Sequence, residues 1–138
     1  MRYMIIVKAT AGSEAGVMPE EPLLAAMAKY HEELAQAGVL VDGSGLQASS
    51  QGWRIRYAGE RRSFVDGPFA ETRELIAGYT IIQVRSKEEA IEWSMRFPNP
   101  AGEGQDAEIE VRQFFELEDF TPGEAIDRFR EIGVGGAG

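Results

Sequence analysis

Cysteine is absent from the 138 residues, and histidine occurs only once, at position 31. The lack of cysteine excludes disulfides, thiolate metal sites and cysteine nucleophiles, and it is compatible with a reducing compartment. One histidine leaves little from which to build a His-rich metal site or a Ser-His-Asp triad. A Gly-x-Gly-x-x-Gly turn after a strand and a phosphate-loop lysine are also missing. We therefore expect no metal and no cofactor.

Positive charge is scarce as well, because 14 Lys and Arg residues stand against 23 Asp and Glu residues, a net charge of -9. Such a chain repels phosphate backbones and anionic lipid surfaces, so we expect no nucleic-acid partner and no membrane association. The apolar run at residues 1–9 is too short to span a bilayer and lacks the basic start of a signal peptide. The sequence thus predicts a soluble cytoplasmic protein.

Four segments have the residue patterns of β-strands. Residues 3–7 and 79–84 are continuously apolar and rich in β-branched side chains, which is typical of strands buried on both faces. Residues 53–57 and 108–112 alternate between apolar and charged side chains, as half-exposed strands do. The glycine-rich residues 42–45 are interpreted as a turn.

Helical patterns separate and follow these strands. Between Pro22 and Gly38, apolar residues recur at helical spacing and form one stripe: Leu23, Met27, Tyr30 and Leu34. Capping boxes at residues 86–89 and 121–124 predict the starts of two further helices. The last helix continues through Arg130, and a frayed glycine-rich end follows it.

The order of these elements is the split βαβ pattern, in which the two most apolar strands occupy the centre of the sheet. We therefore predict the α+β class, a ferredoxin-like βαββαβ fold with an antiparallel four-stranded sheet and an added C-terminal helix. The predicted domain covers residues 1–118, and the helical extension covers residues 119–138.

One face of this sheet is expected to lack a cover. Both helices lie on one side, yet the apolar strand residues cannot all point toward them: Trp53, Ile55, Tyr57, Tyr79 and Ile81. An exposed apolar face of this size requires a partner, and a second copy of the chain gives a homodimer. The alternative is a monomer whose C-terminal segment covers the face.

Residues 66–74 combine three carboxylates, an arginine and an aromatic ring around a turn. Asp66 is interpreted as a general acid or base at the mouth of a cleft, or else as an acceptor for amides of its own turn. Phe69 either stacks on a ligand or fills the core. Arg73 lies between Glu71 and Glu74, and these three side chains either bind a ligand or form a solvated, mutually paired face.

Two other residues extend the predicted site. His31 lies beside the apolar stripe of the first helix and is the obvious proton carrier near neutral pH, unless it is simply a partly exposed helix residue. Arg56 occupies an outward-facing strand position, where it holds an anionic group or pairs with a carboxylate.

The run from Asp66 to Glu74, followed by Gly78 and Tyr79, resembles the signature of the DGPF branch of YCII-related proteins, which reads D-G-P-F-x-E-T-K-E and then a glycine and an aromatic residue. Arg73 replaces the lysine of that signature. The resemblance implies a dimeric ferredoxin-like α+β barrel, similar in fold to cofactor-free monooxygenases and muconolactone isomerases. For the wider YCII group it also implies an active site formed by a histidine early in the first helix and an aspartate; the histidine position falls near Met27 rather than at His31.

Two functions of different classes follow. The first is a metal- and nucleotide-free enzyme that acts on a small anionic molecule, with Asp66 and His31 as catalytic residues. Its predicted substrate-binding residues are Gly67, Pro68, Phe69, Arg56, Glu71, Arg73, Glu74 and Tyr79. The second is a ligand-binding or regulatory module in an extracytoplasmic-function sigma factor pathway, which the resemblance brings in because many relatives are encoded beside such factors.

Overall fold

The computed structural model describes residues 1–136. The strands are β1 (Arg2–Lys8), β2 (Leu40–Gly45), β3 (Trp53–Ala58), β4 (Arg61–Asp66), β5 (Ile76–Gln83) and β6 (Ile109–Gln113). The helices are α1 (Ala11–Glu14), α2 (Glu21–Gln36), α3 (Lys87–Met95) and α4 (Glu124–Ile132). Short 3-10 turns occupy Ser49–Gln51, Thr72–Glu74 and Leu117–Asp119. Within this part of the chain, no helix is both long and apolar enough to cross a membrane.

Four strands form one antiparallel sheet in the order β2-β5-β1-β6. The two continuously apolar strands, β1 and β5, lie in its centre, which confirms the predicted α+β fold with a four-stranded antiparallel sheet. Ile5, Leu34 and Ile82 are completely buried where α2 meets this sheet. Burying such aliphatic side chains contributes about 2 kcal/mol each, so this layer holds the helices in place.

The second strand of the sheet is not the predicted one. Residues 53–57 do form a strand, but β3 pairs only with β4, as a separate two-stranded sheet. The position beside β5 belongs to β2, whose residues 42–45 were interpreted as a turn. The close approach of the two strands depends on a glycine of β5: a Cβ atom at Gly78 would lie 2.9 Å from the Ser44 carbonyl oxygen, whereas one at Gly43 would make an ordinary contact of 3.4 Å with His31 Nε2.

The face of the sheet away from the helices is partly apolar. In β1, Tyr3 and Ile5 are buried toward the helices, so the alternating residues Met4 and Ile6 point to the opposite side. Ile81 pairs with Met4 on that side. These residues, rather than those of residues 53–57, form the apolar part of the open face.

The helix starts are partly as predicted. At α3, Ser86 Oγ accepts a hydrogen bond from the Glu89 amide at 3.1 Å, while the Glu89 carboxylate accepts one from the Arg85 amide at 3.0 Å. The capping box predicted at residues 121–124 is wrong, because α4 begins at Glu124 after an extended Gly123.

The C-terminal end of the chain packs against the 3-10 turn before α4. A Cβ atom at Gly135 would lie 2.7 Å from Leu117 Cδ2, so glycine permits this approach. Of the end predicted to fray, residues 137–138 lie outside the described residues. The division at residue 118 stays a prediction.

Candidate functional site

The turn that follows β4 is fixed by its backbone. Asp66 ends β4 opposite Trp53, and the Gly67 amide then donates a hydrogen bond to the Gly52 carbonyl at 3.0 Å. A Cβ atom at Gly67 would overlap the Ser49 carbonyl oxygen and lie 2.7 Å from its carbon. Only glycine allows the two backbones to approach this closely. The turn after β4 is therefore held in one position against the Ser49–Gln51 turn.

Ser49 joins this turn to α1. Its hydroxyl accepts a hydrogen bond from the Phe69 amide at 3.0 Å and donates one to the Glu14 carboxylate. The Ser49 amide donates to the same carboxylate at 2.9 Å. The side-chain hydrogen bond, followed by the backbone one, lowers the pKa of Glu14 below its ordinary value. Glu14 and Ser49 were not singled out from the sequence, where nothing local relates them to Phe69.

Phe69 and Glu71 are both engaged by Arg54. The guanidinium carbon of Arg54 lies 3.7 Å from the centre of the Phe69 ring, and its Nη1 lies 3.7 Å from Glu71 Oε2. Phe69 is half-buried beneath this cation, a geometry that stabilises by about 0.5–1 kcal/mol at an exposed site. These two contacts with Arg54 hold the segment after the turn in place and pair the Glu71 carboxylate with a cation.

Asp66 itself is exposed, and within residues 1–136 no hydrogen bond or ion pair reaches its carboxylate. Opposing residues of an antiparallel pair share a face, so Asp66 lies on the same face as Trp53, Ile55 and Phe64. The Trp53 and Phe64 rings stack at 5.9 Å between centroids and 20° between planes. The site therefore combines an uncommitted carboxylate with an exposed aromatic surface.

His31 lies elsewhere, half-buried between α2 and the four-stranded sheet. Its Nδ1 is 2.7 Å from the Met27 carbonyl oxygen, and its Nε2 is 2.8 Å from Thr80 Oγ1. A carbonyl only accepts, so Nδ1 carries a proton and donates to Met27, while Nε2 shares a hydrogen bond with the Thr80 hydroxyl. In the described part of the chain, no hydrogen bond or ion pair connects His31 with Asp66.

The other predicted site residues are dispersed. Arg56 lies opposite Ser63 on the hairpin face that Asp66 does not share. Pro68 is exposed beside Gly67, and Arg73 and Glu74 are exposed in the Thr72–Glu74 turn. Tyr79 is in β5 on the open face, with its hydroxyl 3.3 Å from Asp42 Oδ2. The turn thus collects the residues from Asp66 to Glu74, but not His31, Arg56 or Tyr79.

Two clefts occur away from this turn. One of about 570 Å³ lies at the end of the sheet near the C-terminal glycines, and Arg2, Gln83 and Glu116 are among the residues that line it. A second of about 270 Å³ lies beside Gly38 and Arg85. Neither cleft borders Asp66 or His31. Among residues 1–136, no group of three or more histidines and carboxylates could hold a metal ion.

Comparisons with known proteins place this architecture in a family. One solved structure that resembles the chain is a 5-chloro-2-hydroxyhydroquinone dehydrochlorinase from Burkholderia phenoliruptrix AC1100 in complex with 2,5-dihydroxybenzoquinone. Its sequence identity is 14%, its TM-score is 0.43, and the match covers 88% of this chain and 100% of that chain. A comparison with curated protein sequences found no match. The family model described as the YCII-related domain matches residues 1–115, most of the chain, and the chain therefore belongs to the YCII-related family.

Proposed function

We propose that the chain is an enzyme that acts on a small anionic molecule by acid/base chemistry, with Asp66 as the group that transfers the proton. The free Asp66 carboxylate carries this proposal. An acid/base catalyst needs unoccupied lone pairs and a fixed position. Asp66 meets the first need because it has no partner within residues 1–136, and it meets the second because Gly67 and Phe69 hold the turn.

Arg73 supports an anionic substrate, because it is exposed in the segment that follows Asp66 and forms no ion pair within the described residues. Arg56 lies on the opposite face of the hairpin, and its predicted role in substrate binding stays a prediction. A guanidinium group binds carboxylate in a bidentate fashion, which fixes orientation as well as charge. The stacked rings of Trp53 and Phe64 offer a surface for a planar substrate next to Asp66. The role predicted for His31 stays a prediction.

The proposal includes a homodimer. Met4, Ile6, Tyr79 and Ile81 are half-buried on the sheet face that the helices leave open. A partly apolar face of this kind is best covered by the same face of a second copy, related by a two-fold axis.

Proton transfer at Asp66 can be tested before the substrate is identified. Small 2-oxo acids such as pyruvate exchange their acidic C–H protons for deuterium in D₂O, and proton NMR records the rate. We expect the wild-type protein to accelerate this exchange and Asp66→Asn to lower the rate by a factor of about 100 or more. The matched control is Asp106→Asn, which alters an exposed carboxylate in another loop and keeps the wild-type rate.

An Asp66→Asn variant that exchanges protons as fast as the wild type would remove Asp66 from the chemistry. Saturation-transfer NMR with benzoate and salicylate separates binding from catalysis in the same samples. Binding to the wild-type protein without any catalysed exchange would favour the second function, a ligand-binding or regulatory module, over the enzyme.

A further inference from the structure

The β3–β4 hairpin, residues 53–66, exposes a continuous apolar face. Four large side chains share it by register, with exposed fractions of 60% for Trp53, 42% for Ile55, 67% for Tyr57 and 58% for Phe64. The opposite face meets the rest of the fold, because Arg54 on that side lies over the Phe69 ring. Large exposed apolar patches mark interaction surfaces, so the apolar face is expected to have a partner.

The apolar face carries one charge of each sign. Arg62 lies opposite Tyr57 in the strand register, at one end of the face. Asp66 lies opposite Trp53 at the other end, and Phe64 stands between the two charges. The remaining arginines of the hairpin lie on the opposite face: Arg54, Arg56 and Arg61. The apolar face is therefore neutral as a whole, with a positive and a negative end.

This pattern is complementary to itself after a rotation by 180°. Sheets that pack face to face keep their strands within about 30° of each other, so two hairpins related by a two-fold axis lie parallel or antiparallel. The parallel arrangement gathers both Arg62 side chains at one end and both Asp66 carboxylates at the other, which is unfavourable at an interface. The antiparallel arrangement, with its axis at the Ile55–Phe64 pair, places each Arg62 against Asp66 of the second copy.

We propose that the apolar hairpin faces of two copies pack on each other in this antiparallel, two-fold arrangement. Each exposed group of one face then meets an apolar group or the opposite charge on the other face. The contacts, each made with the second copy, are Phe64 with Phe64, Ile55 with Ile55, Trp53 with Tyr57, and Arg62 with Asp66. The last two form twice, once in each direction.

The contact is small and adds to the homodimer proposed above. Each copy contributes six side chains, against about 20–30 residues a side in a stable interface, so the hairpins alone hold two copies together only weakly. In the contact, Asp66 is paired with Arg62 of the second copy, and the stacked rings beside it are covered. The packed hairpins are therefore the closed form of the candidate site. This closing role rests on the proposed function, whereas the contact itself requires no catalytic role for Asp66.

Cysteine cross-linking tests the contact, because the chain has no cysteine of its own. The purified Phe64→Cys variant is treated with a short bis-maleimide and separated on a denaturing gel. Since position 64 lies at the proposed two-fold axis, we expect this variant to link to itself and give twice the 15.2 kDa chain mass. The matched control is Ser63→Cys, the neighbouring exposed residue on the opposite face of β4, which gives no such product.

Mixtures of variants test the orientation of the two hairpins. Trp53→Cys and Tyr57→Cys should link to each other more readily than either links to itself, because only the antiparallel arrangement brings these two positions together. Self-linking of Trp53→Cys that equals or exceeds its linking to Tyr57→Cys would overturn the proposal.

Charge reversal tests the two ends of the contact. In the Phe64→Cys chain, Arg62→Glu or Asp66→Lys alone should lower the cross-linking yield roughly fivefold, because each change places like charges together at both ends. The two changes combined should restore the yield, since they only exchange the positive and the negative end. A damaged hairpin would not recover through a second substitution, so this rescue separates charge pairing from folding.

Two further results would overturn the proposal. One is the absence of a linked product from Phe64→Cys and also from Ile55→Cys, the other position at the axis, because the face would then belong to a different partner. The other is a doubly reversed chain that links no better than the singly reversed ones. Neither result depends on proton exchange, so a failed contact and a failed enzyme are told apart.

Discussion

Gly67 shows how a single missing Cβ atom positions the candidate site. The backbone of Gly67 lies against the Ser49 carbonyl group, and its amide bonds to Gly52. Any larger residue at position 67 must move the turn after β4 away from the Ser49–Gln51 turn. Since Asp66 is the neighbouring residue, such a shift would also move the proposed catalytic carboxylate.

We predict that Gly67→Ala lowers the free energy of unfolding by about 1–3 kcal/mol, the usual range for forced overpacking. Urea denaturation followed by circular dichroism measures this change. The matched control is Gly12→Ala in α1, where a Cβ atom meets only Thr10 Oγ1, at 3.6 Å. Equal stability of the two variants would contradict the close approach at Gly67.

Ser49→Ala is predicted to raise the pKa of Glu14 toward its ordinary value of 4.5, because it removes the hydrogen bond that lowers that pKa most. NMR titration of the Glu14 side chain measures the shift. A lowered carboxyl pKa stabilises the fold above pH 4.5, and this stability is lost as the pH falls through the lowered pKa. The wild-type advantage over Ser49→Ala should therefore shrink in acid. Ser50→Ala, one residue along the same turn, should leave the Glu14 pKa unchanged.

Single residues of the site differ in how far the sequence predicts them. Asp66 and Gly67 could be selected because carboxylates, glycine and proline cluster locally in one turn. Glu14 and Ser49 could not, because their hydrogen bonds join positions 35 residues apart, and no periodicity encodes such a pair. The sequence does not decide between the two roles of Phe69. Its contact with Arg54 depends on where the β3–β4 hairpin lies, which the sequence pattern does not predict.

At the scale of elements, hydrophobic pattern identified strands better than their partners. β1 and β5 were predicted to be central because continuous apolar runs require burial on both faces. The alternation of residues 53–57 indicated a half-exposed strand correctly, but it carries no information on which strand lies beside it. β2 was overlooked because Gly43 and Gly45 resemble a turn, whereas both residues pair with β5 in the sheet.

Tyr30 connects two elements, since its hydroxyl on α2 donates a 2.7 Å hydrogen bond to the Trp93 carbonyl of α3. Burial raises the pKa of Tyr30 to about 12, with Arg96 acting in the opposite direction and Glu33 in the same one. The folded chain therefore keeps the phenol proton above pH 10, where the unfolded chain releases it. The stability from this group is complete below pH 10 and is lost as the pH rises through about 12.

We predict that the wild-type protein loses about 1–2 kcal/mol of stability relative to Tyr30→Phe between pH 10 and pH 12. Urea denaturation of both proteins at pH 9 and at pH 12 gives this difference in stability. The contributions of the other titrating groups are the same in both proteins and cancel. Parallel stability curves for the two proteins would contradict a raised Tyr30 pKa.

At the scale of the whole molecule, the proposed homodimer depends on the open face of the sheet. We predict a particle of twice the 15.2 kDa chain mass in light scattering, because Ile81, Met4 and their neighbours then leave water. Ile81→Glu should yield single chains, since it places a charge in that apolar contact. Met95→Glu, on an exposed position of α3, should remain a dimer.

A wild-type protein that stays at 15.2 kDa at high concentration would contradict the dimer. If Ile81→Glu keeps the doubled mass, a surface other than the open face of the sheet holds the two copies together.

The 3.0 Å hydrogen bond between Gly67 and Gly52 brings the two ends of residues 53–66 to one point. Because the β3–β4 hairpin leaves and rejoins the rest of the fold at one place, it can be lengthened, shortened or exchanged without moving the strands on either side. A change of length in this hairpin is therefore compatible with the same four-stranded sheet. For protein engineering, the Gly52–Gly67 contact marks a position at which a foreign loop can be grafted onto this scaffold.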